Sequence, residues 1–200
     1  MTFSAAGSSY LSTTAPVSRE FFLRPAVDVA PDLIGSVFLF SGVGGRIVEV
    51  EAYDQDEPSS HSYRGETKRN RSMFGPGGLV YVYRSYGIHW CMNLVCEDDR
   101  ASAVLIRALE PLEGVSQMVR RRSRTKLRDL CSGPGKLCEA LAITSDQDGM
   151  SVLGEPFFLG IPHEKSVVVA SRRVGISKAL ELPWRFSEGD NNYVSRPVKD

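Results

Sequence analysis

The stretch Tyr81-Val-Tyr-Arg-Ser-Tyr-Gly-Ile-His-Trp-Cys-Met-Asn93, preceded by Gly75-Pro-Gly-Gly78, reads as a strand, a tight turn and a second strand. The turn falls at Tyr86-Gly87, because glycine accepts the positive φ that a short hairpin needs. Aromatic rings at Tyr81, Tyr83, Tyr86 and Trp90 run through the pair. A ring at a hairpin tip stands in water, and one use of such a ring is as a wedge between stacked bases. Cross-strand packing is the competing account of the same aromatics.

Upstream of this hairpin, Ser36-Val-Phe-Leu-Phe40 and Arg46-Ile-Val-Glu-Val50 are expected strands around a Gly42-Val-Gly-Gly45 turn. Residues 18–34 read as short helical turns broken at Pro25 and Pro31. Residues 54–78 make a long, polar, glycine-rich connection, and a loop of that length inside a domain is usually functional or disordered. Downstream, Ala103-Val-Leu-Ile-Arg-Ala-Leu109 is an expected strand, residues 115–123 and 135–143 expected helices, and residues 155–159 and 166–170 late strands. Strands outnumber helices and lack the alternation of a βαβ chain. The pattern predicts one α+β domain over residues 18–200, built on a largely antiparallel sheet with flanking helices, behind a flexible leader of residues 1–17.

The chain has 200 residues, 42% of them hydrophobic, enough to bury a core without staples. No apolar run approaches the ~20 residues of a membrane span. The first residues lack the charged start and apolar middle of a secretion signal. Cys91, Cys96, Cys131 and Cys138 form no Cys-x-x-Cys pair, and three histidines complete no zinc pattern. Reduced, buried thiols in a cytoplasmic protein without a metal are expected.

Formal net charge is zero, which argues against a nucleic-acid partner, but its distribution argues the other way. Arg64, Lys68, Arg69 and Arg71 crowd one loop, residues 120–128 hold six more cations, and Arg172, Arg173, Lys178 and Arg185 form a third group. Segregated charge can give a neutral molecule a basic face, and phosphates respond to that local face. Each run taken singly also reads as a solvated loop or helix end.

Two charged residues occupy strands that prefer aliphatics. Glu51 ends Ile47-Val-Glu-Val-Glu-Ala-Tyr53, where Val48, Val50 and Ala52 should share one face and Glu49, Glu51 and Tyr53 the other. Arg107 interrupts its strand, and a buried charge there demands a partner. Glu51 with Arg107 is the natural pair, either as a structural ion pair or as a general base kept charged by a cation. Gly133-Pro-Gly-Lys136 resembles a phosphate loop, but Leu130 and Leu137 stand where the Walker pattern needs Gly and Ser or Thr. Lys136 still offers one phosphate a cation at a helix start.

Several runs together resemble the alkyladenine (3-methyladenine) DNA glycosylase family. They are Arg46-Ile-Val-Glu-Val-Glu-Ala-Tyr53, His61-Ser62, Arg69-Asn-Arg-Ser-Met-Phe74, Tyr81-Val-Tyr83, Tyr86-Gly87 and Cys91-Met-Asn93, followed by Arg107-Ala-Leu-Glu-Pro111, Cys131-Ser-Gly-Pro134 and Arg173-Val-Gly175. The likeness runs in order from about residue 21 to residue 194. It implies a single α+β domain around a curved antiparallel sheet with a protruding hairpin. It also implies a monomeric enzyme that flips alkylated or deaminated purines from double-stranded DNA and hydrolyses their glycosidic bonds.

The resemblance assigns roles by position. Glu51 would activate the attacking water, with Arg107 and the Val174 backbone carbonyl placing it. Tyr53 and His61 on one side and Tyr83 on the other would sandwich the base, and Asn93 would exclude normal guanine. Tyr86 would fill the gap in the duplex. Apart from the resemblance, Arg69 and Arg71 of the basic loop and Lys136 at its helix start are expected to meet phosphates. No lysine is expected beside the site, which points to a monofunctional enzyme with a water nucleophile and no cofactor. Arg84-Ser85 and His89 depart from the family pattern and bear on lesion range. A non-catalytic nucleic-acid binder and a small-molecule hydrolase using Glu51 are the rival classes.

Overall fold

Residues 14–197 are described by a computed structural model of the protein. Two of its hairpins turn on a residue–glycine pair in which both φ angles are positive. Ser41 and Gly42 (φ 50° and 76°) join β2 (Val37–Phe40) to β3 (Val43–Tyr53). Tyr86 and Gly87 (φ 50° and 70°) join β4 (Val80–Ser85) to β5 (His89–Cys96). Such pairs match the right-handed twist of the strands they connect. The first turn therefore lies ahead of most of the expected glycine stretch. Gly44 and Gly45 belong to β3, where an added Cβ would stand 2.0 Å from the Phe38 carbonyl oxygen and 1.9 Å from that of Glu110. Glycine there lets the neighbouring backbones close in.

The sheet is completed by β1 (Thr14–Pro16), β6 (Ser102–Glu113), β7 (Phe157–Pro162), β8 (Val168–Ser171) and β9 (Arg185–Glu188). Its order is β1-β7-β2-β3-β6-β5-β4, with β9 against β3 and β8, and every pairing is antiparallel. This is the α+β architecture expected. Thr14–Pro16 corrects the leader's boundary: expected as leader, it pairs with β7, and Pro16 is tolerated because the strand is an edge. The remainder of that leader, residues 1–13, lies outside the described residues.

Helix α1 (Ala26–Leu33) runs through Pro31, which the sequence reading took for a break. Ala26, Val29, Ala30 and Leu33 are all buried at helical spacing, and that stripe offsets the one hydrogen bond proline removes. Helices α2 (Val115–Arg122), α3 (Arg128–Cys131) and α4 (Pro134–Leu141) follow β6. Leu137, Cys138 and Leu141 of α4 join the same core as α1. All four cysteines are free and buried.

Two bulges decide what faces the other side. Ile47 pairs with Leu109, Glu49 with Ala108 and Val50 with Ile106, so Val48 is the extra residue of β3 and Arg107 the extra residue of β6. A bulge reverses the parity of a strand's faces. Ile47, Val50 and Ala52, with Val104, Ile106 and Leu109, thus enter the helix-covered core together. Simple alternation had placed Val48 in that set. The opposite face carries Tyr53, Leu105 and Arg107.

Candidate active site

On that second face lies a cavity of about 550 Å³. Tyr53, His61, Tyr83 and Asn93 line it, and so do Arg107 and Val174. Arg69 and Tyr86 stand at its edge. Tyr53, His61, Tyr83, Asn93, Arg107 and Val174 are therefore gathered in one place, although they come from four strands and two loops.

Glu51 sits one layer behind the wall, 0% exposed. Its Oε2 accepts from the Tyr53 hydroxyl at 2.8 Å and from Arg107 Nη1 at 3.1 Å, and its Oε1 accepts from the Val174 N–H at 2.7 Å. All three donors line the cavity. Among the described residues Oε1 accepts one hydrogen bond where Oε2 accepts two, so Oε1 keeps one accepting direction open. Val174 thus meets the carboxylate through its amide, whereas the sequence reading assigned a role to its carbonyl.

Arg107 spans two glutamates, since its Nε donates to Glu49 Oε1 at 2.9 Å. The same oxygen accepts from Arg185 Nε and from the Ser195 hydroxyl, each at 2.8 Å, and the Ser195 N–H donates to the other. Two cations and two anions are buried together, with their hydrogen-bonding capacity largely filled, which is the condition for buried charge to be tolerated. Burial works to raise the Glu49 pKa, but Arg107, Arg185 and the Ser195 donors outweigh it and hold the carboxyl below its usual range.

Tyr53 is fixed from behind. Arg173 lies 4.7 Å from its ring centroid, donates to both Glu57 oxygens at 2.6 and 2.9 Å, and donates to the Ala52 carbonyl at 3.0 Å. Burial, followed by the nearby Glu51 charge, pushes the Tyr53 hydroxyl far above its ordinary pKa, so it stays a donor. His61 Nδ1 shares a hydrogen bond with the Tyr81 hydroxyl at 2.9 Å, and Asn70 Nδ2 donates to the His61 carbonyl at 2.8 Å. Burial, then Arg69, lowers the His61 pKa and favours the neutral ring.

The expected sandwich is not open. The His61 and Tyr83 rings meet edge to face, 4.4 Å between centroids and 78° between planes. A base between two faces needs ~6.8 Å, two stacking steps of ~3.4 Å. These rings must part before a purine can lie between them. Asn93 is buried in the wall, its amide donating to the Tyr81 carbonyl at 3.1 Å.

Tyr86 is 88% exposed at the tip of the β4–β5 hairpin, with Ile88 beside it at 67%. The Ile88 N–H donates to the Ser85 carbonyl at 3.0 Å and closes the turn. An aromatic residue at positive φ is uncommon, and such strain of ~1–3 kcal/mol clusters at functional positions. Arg84 lies 5.5 Å from the Trp90 ring centroid, and His89 packs its Cβ against Gly135 at the start of α4.

Of the expected phosphate contacts, Arg69 donates to the Arg84 carbonyl at 3.0 Å and has no ion-pair partner among the described residues. Arg71 is exposed beside Glu66, with 3.3 Å between them. Lys136 donates to Ser132 Oγ at 3.3 Å and does not line the cavity. The third expected basic group is corrected: Arg173 and Arg185 are buried in ion pairs with Glu57 and Glu49, because only such pairing lets them leave water. Lys178 lines the cavity, against the expectation that no lysine stands beside the site. Tyr81 and the Glu49–Arg185–Ser195 group were also missed. Tyr81 shares strand parity with Tyr83, a signal that could have found it; Ser195, far along the chain, left none. Among the described residues, no cluster of three or more His, Cys, Asp or Glu side chains could hold a metal ion.

The sequence profile of the methylpurine-DNA glycosylase (MPG) family matches residues 20–192. The chain belongs to this family. It is similar to the Agrobacterium fabrum protein named "Putative 3-methyladenine DNA glycosylase", 52% identical over 185 residues, 92% of this chain and 95% of that one. Identically named proteins of Nitrobacter winogradskyi (53% over 185 residues, 92% of this chain and 89% of that one) and Nitrosospira multiformis (52% over 179 residues, 89% and 93%) are alike to the same degree. The family makes this chain a DNA glycosylase, a hydrolase of N-glycosyl bonds that acts on DNA.

Proposed function

We propose that this glycosylase rotates an alkylated or deaminated purine out of duplex DNA and releases it by attack of a Glu51-activated water, leaving an abasic site. The observation that carries this reading is Glu51 itself: fully buried, held by Arg107, the Tyr53 hydroxyl and the Val174 amide, with one Oε1 direction open.

A base inside a duplex is out of reach, so extrusion comes first and costs a few kcal/mol. Tyr86 offsets part of that cost by filling the vacated stack. Parting His61 from Tyr83 then admits the purine, and each base–aromatic stack returns ~1–3 kcal/mol. A cationic methylated purine gains more from these rings than a neutral base does, and it is also the better leaving group. As the glycosidic bond breaks, Glu51 takes a proton from the water that bonds to the sugar carbon, and the purine leaves with the bond's electrons. Asn93, immobile in the wall, crowds the exocyclic amine of normal guanine. The enzyme acts as a monomer on double-stranded DNA in the cytoplasm, at the nucleoid if the cell is bacterial.

Duplexes carrying 3-methyladenine, 7-methylguanine, hypoxanthine or ethenoadenine, incubated with the protein and then treated with alkali, test the reading directly. Strand cleavage at one or more lesions and none at undamaged purines is expected. Cleavage at none of the four refutes it.

A further inference from the structure

We infer that Lys178 clamps a phosphate adjoining the extruded nucleotide, from the side of the cavity formed by residues 174–178. The inference rests on the base-flipping reading and adds to it a contact and the group contacted.

The cavity wall holds three Arg or Lys side chains and no carboxylate. Arg107 is neutralised by Glu49 and Glu51, so it attracts no further anion strongly. Arg69 and Lys178 have no ion-pair partner among the described residues. One comes from the loop before β4 and the other from the segment after β8. The chain as a whole is neutral, with 24 cations against 24 anions, and most other arginines near the site are spent in buried pairs. An unpaired lysine on the exposed edge of a neutral molecule's cavity is thus a local attractor for phosphate.

The backbone supports a defined contact. Residues 174–178 are pinned at one end by the Val174 N–H on Glu51 and at the other by the Lys178 carbonyl, which accepts from Ser59 Oγ at 2.5 Å. Lys178 is therefore carried on a segment whose first residue touches the proposed base. A cation so placed faces the sugar–phosphate of the nucleotide being cut, whereas Arg71 faces DNA away from the cavity. Its contact also stabilises the out-of-helix nucleotide selectively, because that phosphate is displaced when the base is flipped.

The test uses duplexes with a stable tetrahydrofuran abasic nucleotide, each bearing one neutral methylphosphonate on its 5′ or its 3′ side. Binding is measured by anisotropy for wild type, Lys178→Gln and Lys178→Arg. Lys178→Gln should bind the all-phosphate duplex about tenfold more weakly and reduce the slope of log affinity against log salt by about one. One of the two methylphosphonates should weaken wild type by the same factor while costing Lys178→Gln nothing more. Lys178→Arg should recover most of the affinity. Wild-type affinity from Lys178→Gln, or additive losses with both methylphosphonates, overturns the clamp while leaving base flipping intact. A wild-type protein that binds abasic and undamaged duplexes equally overturns both.

Discussion

The Val174 N–H donates to Glu51 Oε1 across 123 residues of sequence, 2.7 Å from nitrogen to oxygen. This bond ties the loop after β8 to the end of β3 and fixes the Glu51 carboxylate behind the cavity wall. Glutamine in place of Glu51 keeps the shape but cannot take a proton. Glu51→Gln should bind lesion DNA normally and lose ~10²–10⁴-fold in single-turnover excision. Near-normal excision would remove Glu51 from the role of base.

Tyr86→Ser should impair extrusion more than bond cleavage. Tyr86 reaches out from the hairpin tip and would hold the flipped state open by occupying the stack. A lower flipped population reduces the observed rate in proportion. Excision of hypoxanthine should suffer least when the lesion is mispaired, since flipping is then cheap. Equal defects on paired and mispaired substrates would return Tyr86 to the status of a surface residue.

Arg71 and Arg69 should differ. Arg71 is 81% exposed and away from the cavity wall, so Arg71→Gln should weaken damaged and undamaged DNA alike and flatten the salt dependence. Arg69 lines the cavity and lies 6.0 Å from the Tyr83 ring centroid, so Arg69→Gln should cost more on lesion DNA. Binding isotherms on both duplexes at two salt concentrations separate the two; equal ratios for both variants contradict the assignment.

Glu49 serves stability. Glu49→Gln leaves Arg107 and Arg185 buried against one anion, and breaking such a group costs about 3–5 kcal/mol. Its folded pKa lies below the ordinary 4.5, so the native state binds fewer protons than the unfolded chain. The stabilisation is therefore complete above that value and is lost as pH falls through the folded pKa. Urea midpoints of wild type and Glu49→Gln should converge as pH drops below 4.5. A gap unchanged down to about pH 3 would mean Glu49 carries no such linkage.

Much of this was legible in the chain. Arg107 stood out as a charge in an aliphatic strand, and its partner Glu51 followed from the need to pair it. Tyr86-Gly87 declared its turn through glycine chemistry. The bulges did not show, because periodicity says which residues alternate but not where a ladder slips. β9 was missed because Arg185 and Glu188 look solvent-bound until their partners, Glu49 for one and Arg46 for the other, are known. The closed His61–Tyr83 contact depends on ring orientation, which no spacing encodes.

The left-handed backbone of Tyr86 has a consequence for when its strain is met. The turn is already formed in the free protein, its φ of 50° enforced by the closed hairpin. The cost falls on folding, not on association, so under the proposed wedge role the ring would need no reshaping to enter DNA. Tyr86 thus trades conformational stability for readiness: glycine there would relax the hairpin and raise its melting temperature while removing the ring. A protein under selection only to stay folded would have little reason to keep tyrosine at that tip.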